Sequence, residues 1–172
     1  MRINAFRLAV IQLFALCVQV AAAQPPVVVP QEVDTTLLPP MNRCVRAFVD
    51  AHLGQRVGRG DCWDLAAAAL NGAHASWDGQ YIFGTPVDPA AEEVLPGDII
   101  QFEGVEVEYR WSGGEYREHM GHHTAVVHAV QGKGRYTLAH QNFGRAGRKV
   151  GLTALELDHI VQGTYSIYRP GP

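Results

Sequence analysis

The hydrophobic period of this chain changes at Pro96-Gly97, and that change limits the folds open to it more than any other feature. Before it, apolar residues recur at helical spacing: Met41, Cys44, Val45, Phe48, Val49 and Leu53 form one stripe, leaving Asn42, Arg43, Arg46 and Asp50 for solvent, and Gly54 ends the run. A second helix is expected from Asp61, a good N-cap, with Cys62, Leu65, Ala66, Ala69, Leu70 and Ala73 on one face and Asn71-Gly72 as its stop. After Pro96-Gly97 the period is two. Asp98 to Phe102 reads as a strand, and Val105, Val107, Tyr109 and Trp111 alternate with Glu106, Glu108 and Arg110 in another. Further strands are expected over His123 to Val130, Tyr136 to Gln141 and Thr164 to Tyr168. Two helices followed by strands predict an α+β domain, its N-terminal helices packed on a roughly five-stranded antiparallel sheet. Residues 74 to 95, with Trp77, Tyr81 and Phe83 among glycines and prolines, are long for a plain connection and suit the wall of a cleft. No internal repeat is evident.

Residues 1–23 read as an export signal: Arg2 and Arg7 give a basic start, Leu8 to Val20 is largely apolar, and Ala21-Ala22-Ala23 offers a small-x-small cleavage site. The apolar run falls short of the about 20 residues of a bilayer span, so no stable membrane anchor is expected after cleavage. Residues 24–40, with five prolines, read as an extended linker, and residues 41–172 as one domain. Without Arg2 and Arg7 the chain keeps 12 basic against 17 acidic side chains, a formal charge of −5 in place of −3, which argues against nucleic acid as a partner. A secreted or periplasmic location follows from the signal. Cys44 lies on the apolar stripe and reads as a core thiol, not as a disulfide partner of Cys62.

Cys62 stands where the glycine-broken loop "GRGD" turns into a helix. The first turn of a helix has unpaired N–H groups and the positive end of the macrodipole, so it favours a thiolate and offers donors to a developing oxyanion. The plainer alternative is a small apolar residue facing the core. A cysteine nucleophile needs an imidazole to take its proton and a third group to orient that imidazole. His123 opens "HTAVVHAV" and shares a face with Ala125, Val127 and Ala129. His140 and Asn142 end the next strand, and an antiparallel return through Gly132-Lys133-Gly134 brings His140 beside His123.

A cysteine opening a helix, then "PGDIIQF", then a histidine opening "HTAVV", then a polar residue ending the following strand, resembles the NlpC and CHAP branch of the papain-like cysteine hydrolases, over Met41 to Arg169. The resemblance implies Cys62 as nucleophile, His123 as general base and His140 as orienting residue, with Asn142 in support; Asp61 as N-cap and Trp63, off the apolar stripe of its helix and as open to packing as to lining the cleft, are further supporting candidates read from their positions. In CHAP members a glutamate stands where this chain has His140, and the asparagine two residues on is kept as Asn142. The resemblance also implies a peptide substrate, with peptidoglycan as its class, and no cofactor. Asp98 reads as a turn-holding residue.

The other histidines set up rival expectations. His119 and His122 fall in "REHMGHH", read as a loop spanning 113–122, and His128 as a half-buried strand residue; His52, His74 and His159 follow no pattern. Zinc is disfavoured because strand alternation sends His123 and His128 to opposite faces and no HExxH or paired-cysteine spacing exists. A non-hydrolytic acyltransferase and a binding module on the same fold remain alternatives to an exported cysteine amidase or peptidase. The hydrolase reading requires Cys62 and His123 on the same side of the sheet.

Overall fold

A computed structural model describes residues 34–172. The export signal and most of the Pro-rich linker therefore lie outside the described residues. Two helices, α1 (Pro40–His52) and α2 (Cys62–Gly72), precede six strands: β1 (Thr85–Val87), β2 (Ile99–Trp111), β3 (Gly114–Gly132), β4 (Arg135–His140), β5 (Gly151–Glu156) and β6 (Ile160–Arg169). They form one antiparallel sheet in the order β1-β6-β2-β3-β4-β5.

The expected α+β class holds, with six strands in place of about five. The three-residue β1 lies inside the stretch expected to be irregular. Residues 98–102 and 105–111 are one strand, interrupted in its pairing with β6 between Glu103 and Glu106. Gly104 sits at that irregularity with φ +60°. The stretch 113–122 is not a loop: it continues β3, pairing with β2 from Gly114↔Trp111 to His122↔Glu103. Charged side chains on alternate residues of this hairpin disguise it as a solvated loop, whereas antiparallel strands tolerate one wet face.

The sheet has two buried faces. Ile99, Val126 and Ala139 pack with Val45, Val49, Leu65, Ala66 and Leu70 of the helices. On the other side, Ile100, Phe102, Ala125, Val127 and Leu138 form a second core that also takes Val87 from one edge strand and Leu155 from the other. Because both edges contribute to one cluster, the sheet curls around this face. Near the helices the two cores take alternate residues of the strands, whereas beyond Gly104 and Gly121 the parity switches, so that Val105, Val107 and Met120 join Ile100, Phe102 and Ala125 in the second core.

α1 departs from its apolar stripe. Asn42 and Arg46, expected in solvent, are buried, and Cys44, expected in the core, is exposed. Asn42 Nδ2 donates to the Pro96 carbonyl at 3.0 Å and to Asp98 Oδ1 at 2.8 Å, while Arg46 Nε donates to the His128 carbonyl at 2.7 Å. Paired polar groups are thus accommodated in the helix–sheet seam. The helix approaches so closely that a Cβ on Gly97 would lie 2.4 Å from the Asn42 carbonyl oxygen, and φ at Gly97 is +91°. Only glycine fits there.

Candidate active site

Cys62 is the first residue of α2, and the loop before it is tied down from three directions. Asp64 Oδ2 accepts from the backbone N–H of Arg59 at 2.7 Å and of Asp61 at 3.2 Å, so the first turn reaches back over its own entrance. Asp61 occupies the N-cap position, and its carboxylate takes Arg148 Nη2 at 2.9 Å. Just after β4, buried Gln141 accepts from Val57 N at 2.7 Å and donates to the carbonyls of Val57 and Asp61, each at 3.2 Å. Gln141 was not singled out in the sequence, where a polar residue beside His140 and Asn142 carries no separate signal.

Cys62 is half-buried and faces a groove of about 490 Å³. Trp63, Gln80, Tyr81, His122, Thr124 and Asn142 line it, together with Arg59 and Asp61. Trp63 Nε1 donates to the Gln80 carbonyl at 2.6 Å, and the ring contacts of Trp63 with Trp77 and of Trp77 with Phe83 pin the 77–83 segment against α2. This segment walls the groove, as its aromatic content suggested. Asn142 reaches it from the turn after β4, with φ +56°.

The histidine assignment is corrected by the sheet. His123 Nε2 lies 2.9 Å from His140 Nδ1, so the two are brought together as the hairpin geometry required, and Thr153 Oγ1 is 3.0 Å from His140 Nε2. Both, however, stand on the face away from the helices. His123 pairs with Phe102 and packs against Phe143, in the core enclosed by the curl, whereas Cys62 lies on the α2 side. Neither lines the groove of Cys62. Burial pulls the His123 imidazole down to about 4 and holds His140 well below the ordinary histidine range, His123 itself adding to the latter effect. Two buried rings that meet edge to face and are held neutral by burial are a packing device.

Alternation turns the preceding residue to the other side. His122 lines the Cys62 groove, its carbonyl oxygen 4.0 Å from Cys62 Sγ and its ring edge-on to Tyr81 with centroids 4.4 Å apart. His122 Nδ1 lies 2.9 Å from Glu103 Oε2, and this contact holds the Glu103 carboxyl below the usual carboxylate range. Reading 113–122 as a loop left His122 out of the candidates, and the choice of strand face depends on which side meets the helices. Small and apolar residues on both faces of "HTAVV" gave no answer.

The remaining histidines are dispersed. His128 Nε2 sits 3.0 Å from Asp50 Oδ1 at the α1 seam, on the opposite face from His123, and His119 is an exposed strand residue. Among the described residues no three His, Cys, Asp or Glu side chains gather to hold a metal ion, and no helix is long and apolar enough to cross a membrane.

A helix-borne cysteine over an antiparallel sheet, with an imidazole from a central strand across a groove, belongs to a papain-like cysteine proteinase fold. The chain is a member of the AIM3/BBC1 cysteine proteinase-fold domain family, whose model matches residues 41–172. A curated relative, altered inheritance of mitochondria protein 3 of Debaryomyces hansenii, is 29% identical over 146 residues covering 74% of this chain. The chain spans only 16% of that protein's length. Two solved structures are also similar: Ly7917, with TM-score 0.47 and 20% identity over 74% of this chain and 62% of that one, and Ly7917 with the hydrolyzing product of MDP, with TM-score 0.49 and 21% identity over 76% and 63%.

Proposed function

We propose that the domain is a thiol-dependent hydrolase of amide bonds, with Cys62 as nucleophile and His122, not His123, as the imidazole that exchanges its proton. The observation that carries this reading is the shared groove: Cys62 heads a helix at its wall and His122 stands on the same face of the sheet. In the reaction, Cys62 Sγ attacks the substrate carbonyl while His122 takes the thiol proton. The backbone N–H groups of the first turn of α2 favour the oxyanion, and His122 returns the proton to the leaving amine. Water then splits the thioester by the reverse roles, releasing the acid and the free thiol. Asn142 places an amide at the same groove to orient the acyl group.

The motif order favours kinship with the NlpC and CHAP branch, and together with the export-signal reading of residues 1–23 it supports an exported enzyme acting on cell-wall peptide. The affiliation with a yeast protein named for mitochondrial inheritance widens the panel of substrates to be tried. Purified chain would be incubated with peptidoglycan fragments, linear peptides and lysine-linked isopeptides, and products read by mass spectrometry. Released amine and acid that vanish in Cys62→Ala and His122→Ala, with unfolding free energies within about 1 kcal/mol of the parent, are expected. Binding without turnover in the unaltered chain would identify a module that has kept the groove and lost the chemistry. Transfer of the acyl group to an added amine faster than to water would identify an acyltransferase.

A further inference from the structure

Papain-like sites need a third group that fixes the imidazole, and the strand after His122 supplies none, because His140 is turned to the far face. The neighbouring strand on the other side does supply one. We infer that Glu103 of β2 is the positioning residue for His122, so that the working set is Cys62, His122 and Glu103. The inference rests on the reading of His122 as the proton partner of Cys62.

The geometry is that of a built support. Glu103 and His122 are directly paired residues of β2 and β3, so their side chains leave the same face side by side. Glu103 Oε2 meets His122 Nδ1 at 2.9 Å, and Glu103 Oε1 accepts from Gln101 Nε2 at 2.9 Å. Gln101 is itself buried and fixed by Thr124 Oγ1, which donates to Gln101 Oε1 at 2.6 Å. The chain Thr124, Gln101, Glu103, His122 thus runs from the buried middle of the sheet to the open groove. The carboxylate end meets Nδ1 of the ring at the shorter distance, Gln101 Nε2 approaching the same nitrogen at 3.4 Å, so that Nε2 is the nitrogen left to take the thiol proton. Tyr81, packed edge-on against the ring, limits its rotation. The charged or titratable groups that surround His122 are Glu103 from β2, Tyr81 from the 77–83 segment and Cys62, Asp61, Asp64 and Arg59 around the start of α2. Of these, Glu103 alone is shown within hydrogen-bond distance of the ring.

The test uses the full chain and needs no substrate. Alkylation of Cys62 by iodoacetamide is followed site by site with mass spectrometry from pH 5 to 9, with exposed Cys44 as the internal standard. Glu103→Gln is expected to slow Cys62 alkylation about fivefold at pH 6, the size of one exposed charge-assisted contact. It should also move the rise of the profile to higher pH, with Cys44 unchanged; Glu103→Asp restores part of the rate. In a His122→Ala background, Glu103→Gln should have no further effect, the coupling that separates a support for the ring from a general change in surface charge. If Glu103→Gln leaves the profile in place while His122→Ala shifts it, the role of Glu103 is overturned and that of His122 stands. If His122→Ala shifts nothing, the underlying reading falls. Both side chains are half exposed, so neither variant threatens folding, and equal thermal midpoints verify this.

Discussion

Asp98 has no solvent-exposed surface, and its carboxylate ties a local turn to segments far apart in the chain. Leu95 N donates to Oδ2 at 2.8 Å and closes the turn, as expected for an aspartate after Pro96-Gly97. Asn42 Nδ2 from α1 and a two-pronged contact from Arg169 near the C-terminus complete the set, at 2.8 Å for Asn42 and 3.2 and 2.9 Å for Arg169. Burial pushes the Asp98 carboxyl up even with the arginine beside it, so the site carries a large desolvation cost that only the full set of partners offsets. Asp98→Ala leaves Arg169 and Asn42 without their acceptor and is expected to cost about 3 kcal/mol or more in urea unfolding. Asp98→Asn, which keeps part of the bonding, should cost less. At this scale the sequence was informative where a residue's chemistry is local. The turn role of Asp98 and the position of Cys62 follow from neighbours within three residues. The burial of Asn42 and Arg46 does not, because their partners lie 54 and 82 residues away.

At the scale of elements, the β3–β4 hairpin carries the outcome. Pairing of the strands and the meeting of His123 with His140 were legible from alternation and a glycine turn. Which face of the hairpin meets the helices was not, since the curled sheet buries both. The enclosed pair makes an acid-sensitive seam. His123 in the folded chain titrates at about 4, against about 6.5 when unfolded, and His140 is shifted the same way. A depressed histidine binds its proton better in the unfolded chain. Its stability contribution is therefore complete above about pH 6.5 and is lost as the pH falls towards 4, by about 1.4 kcal/mol per pH unit and per histidine. His128, held at about 4 by burial and by Arg46, adds to the same window. Urea midpoints measured between pH 7.5 and 4.5 should fall steadily, and the double variant His123→Phe with His140→Leu should flatten the fall. Elsewhere in the sheet, the β2–β6 irregularity admits no side chain: a Cβ on Gly163 would meet the Gly104 carbonyl oxygen at 2.4 Å, with φ +85°. Gly163→Ala is expected to cost at least about 2 kcal/mol in thermal or urea unfolding.

For the whole molecule, the decisive fact is that the last strand in the chain lies inside the sheet. β6 sits between β1 and β2, pairing with β2 from Ile99↔Tyr168 to Val107↔Ile160, and Arg169 at its end locks onto Asp98. The sheet therefore closes only through pairing of residues far apart in the chain, Ile99 with Tyr168 among them. Such long-range pairing predicts folding on the millisecond to second scale, slower than in a helical bundle of the same size. It also predicts how the molecule fails. Ending the chain before Ile160 removes Ile167 from one core and Tyr168 from the other, and strips β2 of its β6 partners from Ile99 to Val107. β1 loses the strand it pairs with, so the 77–87 segment that walls the groove loses its far anchor. The truncated chain is expected to show no cooperative thermal transition by circular dichroism and to lose the rate difference between Cys62 and Cys44 in alkylation. A truncation that removes only Gly171 and Pro172 keeps β6 and Arg169, giving up the Ser76 to Gly171 bridge, and should retain both the transition and the rate difference. Cooperative unfolding of the chain ended before Ile160 would mean that the helices and β2 to β5 form a self-sufficient unit, and that the groove does not depend on closure of the sheet by its last strand.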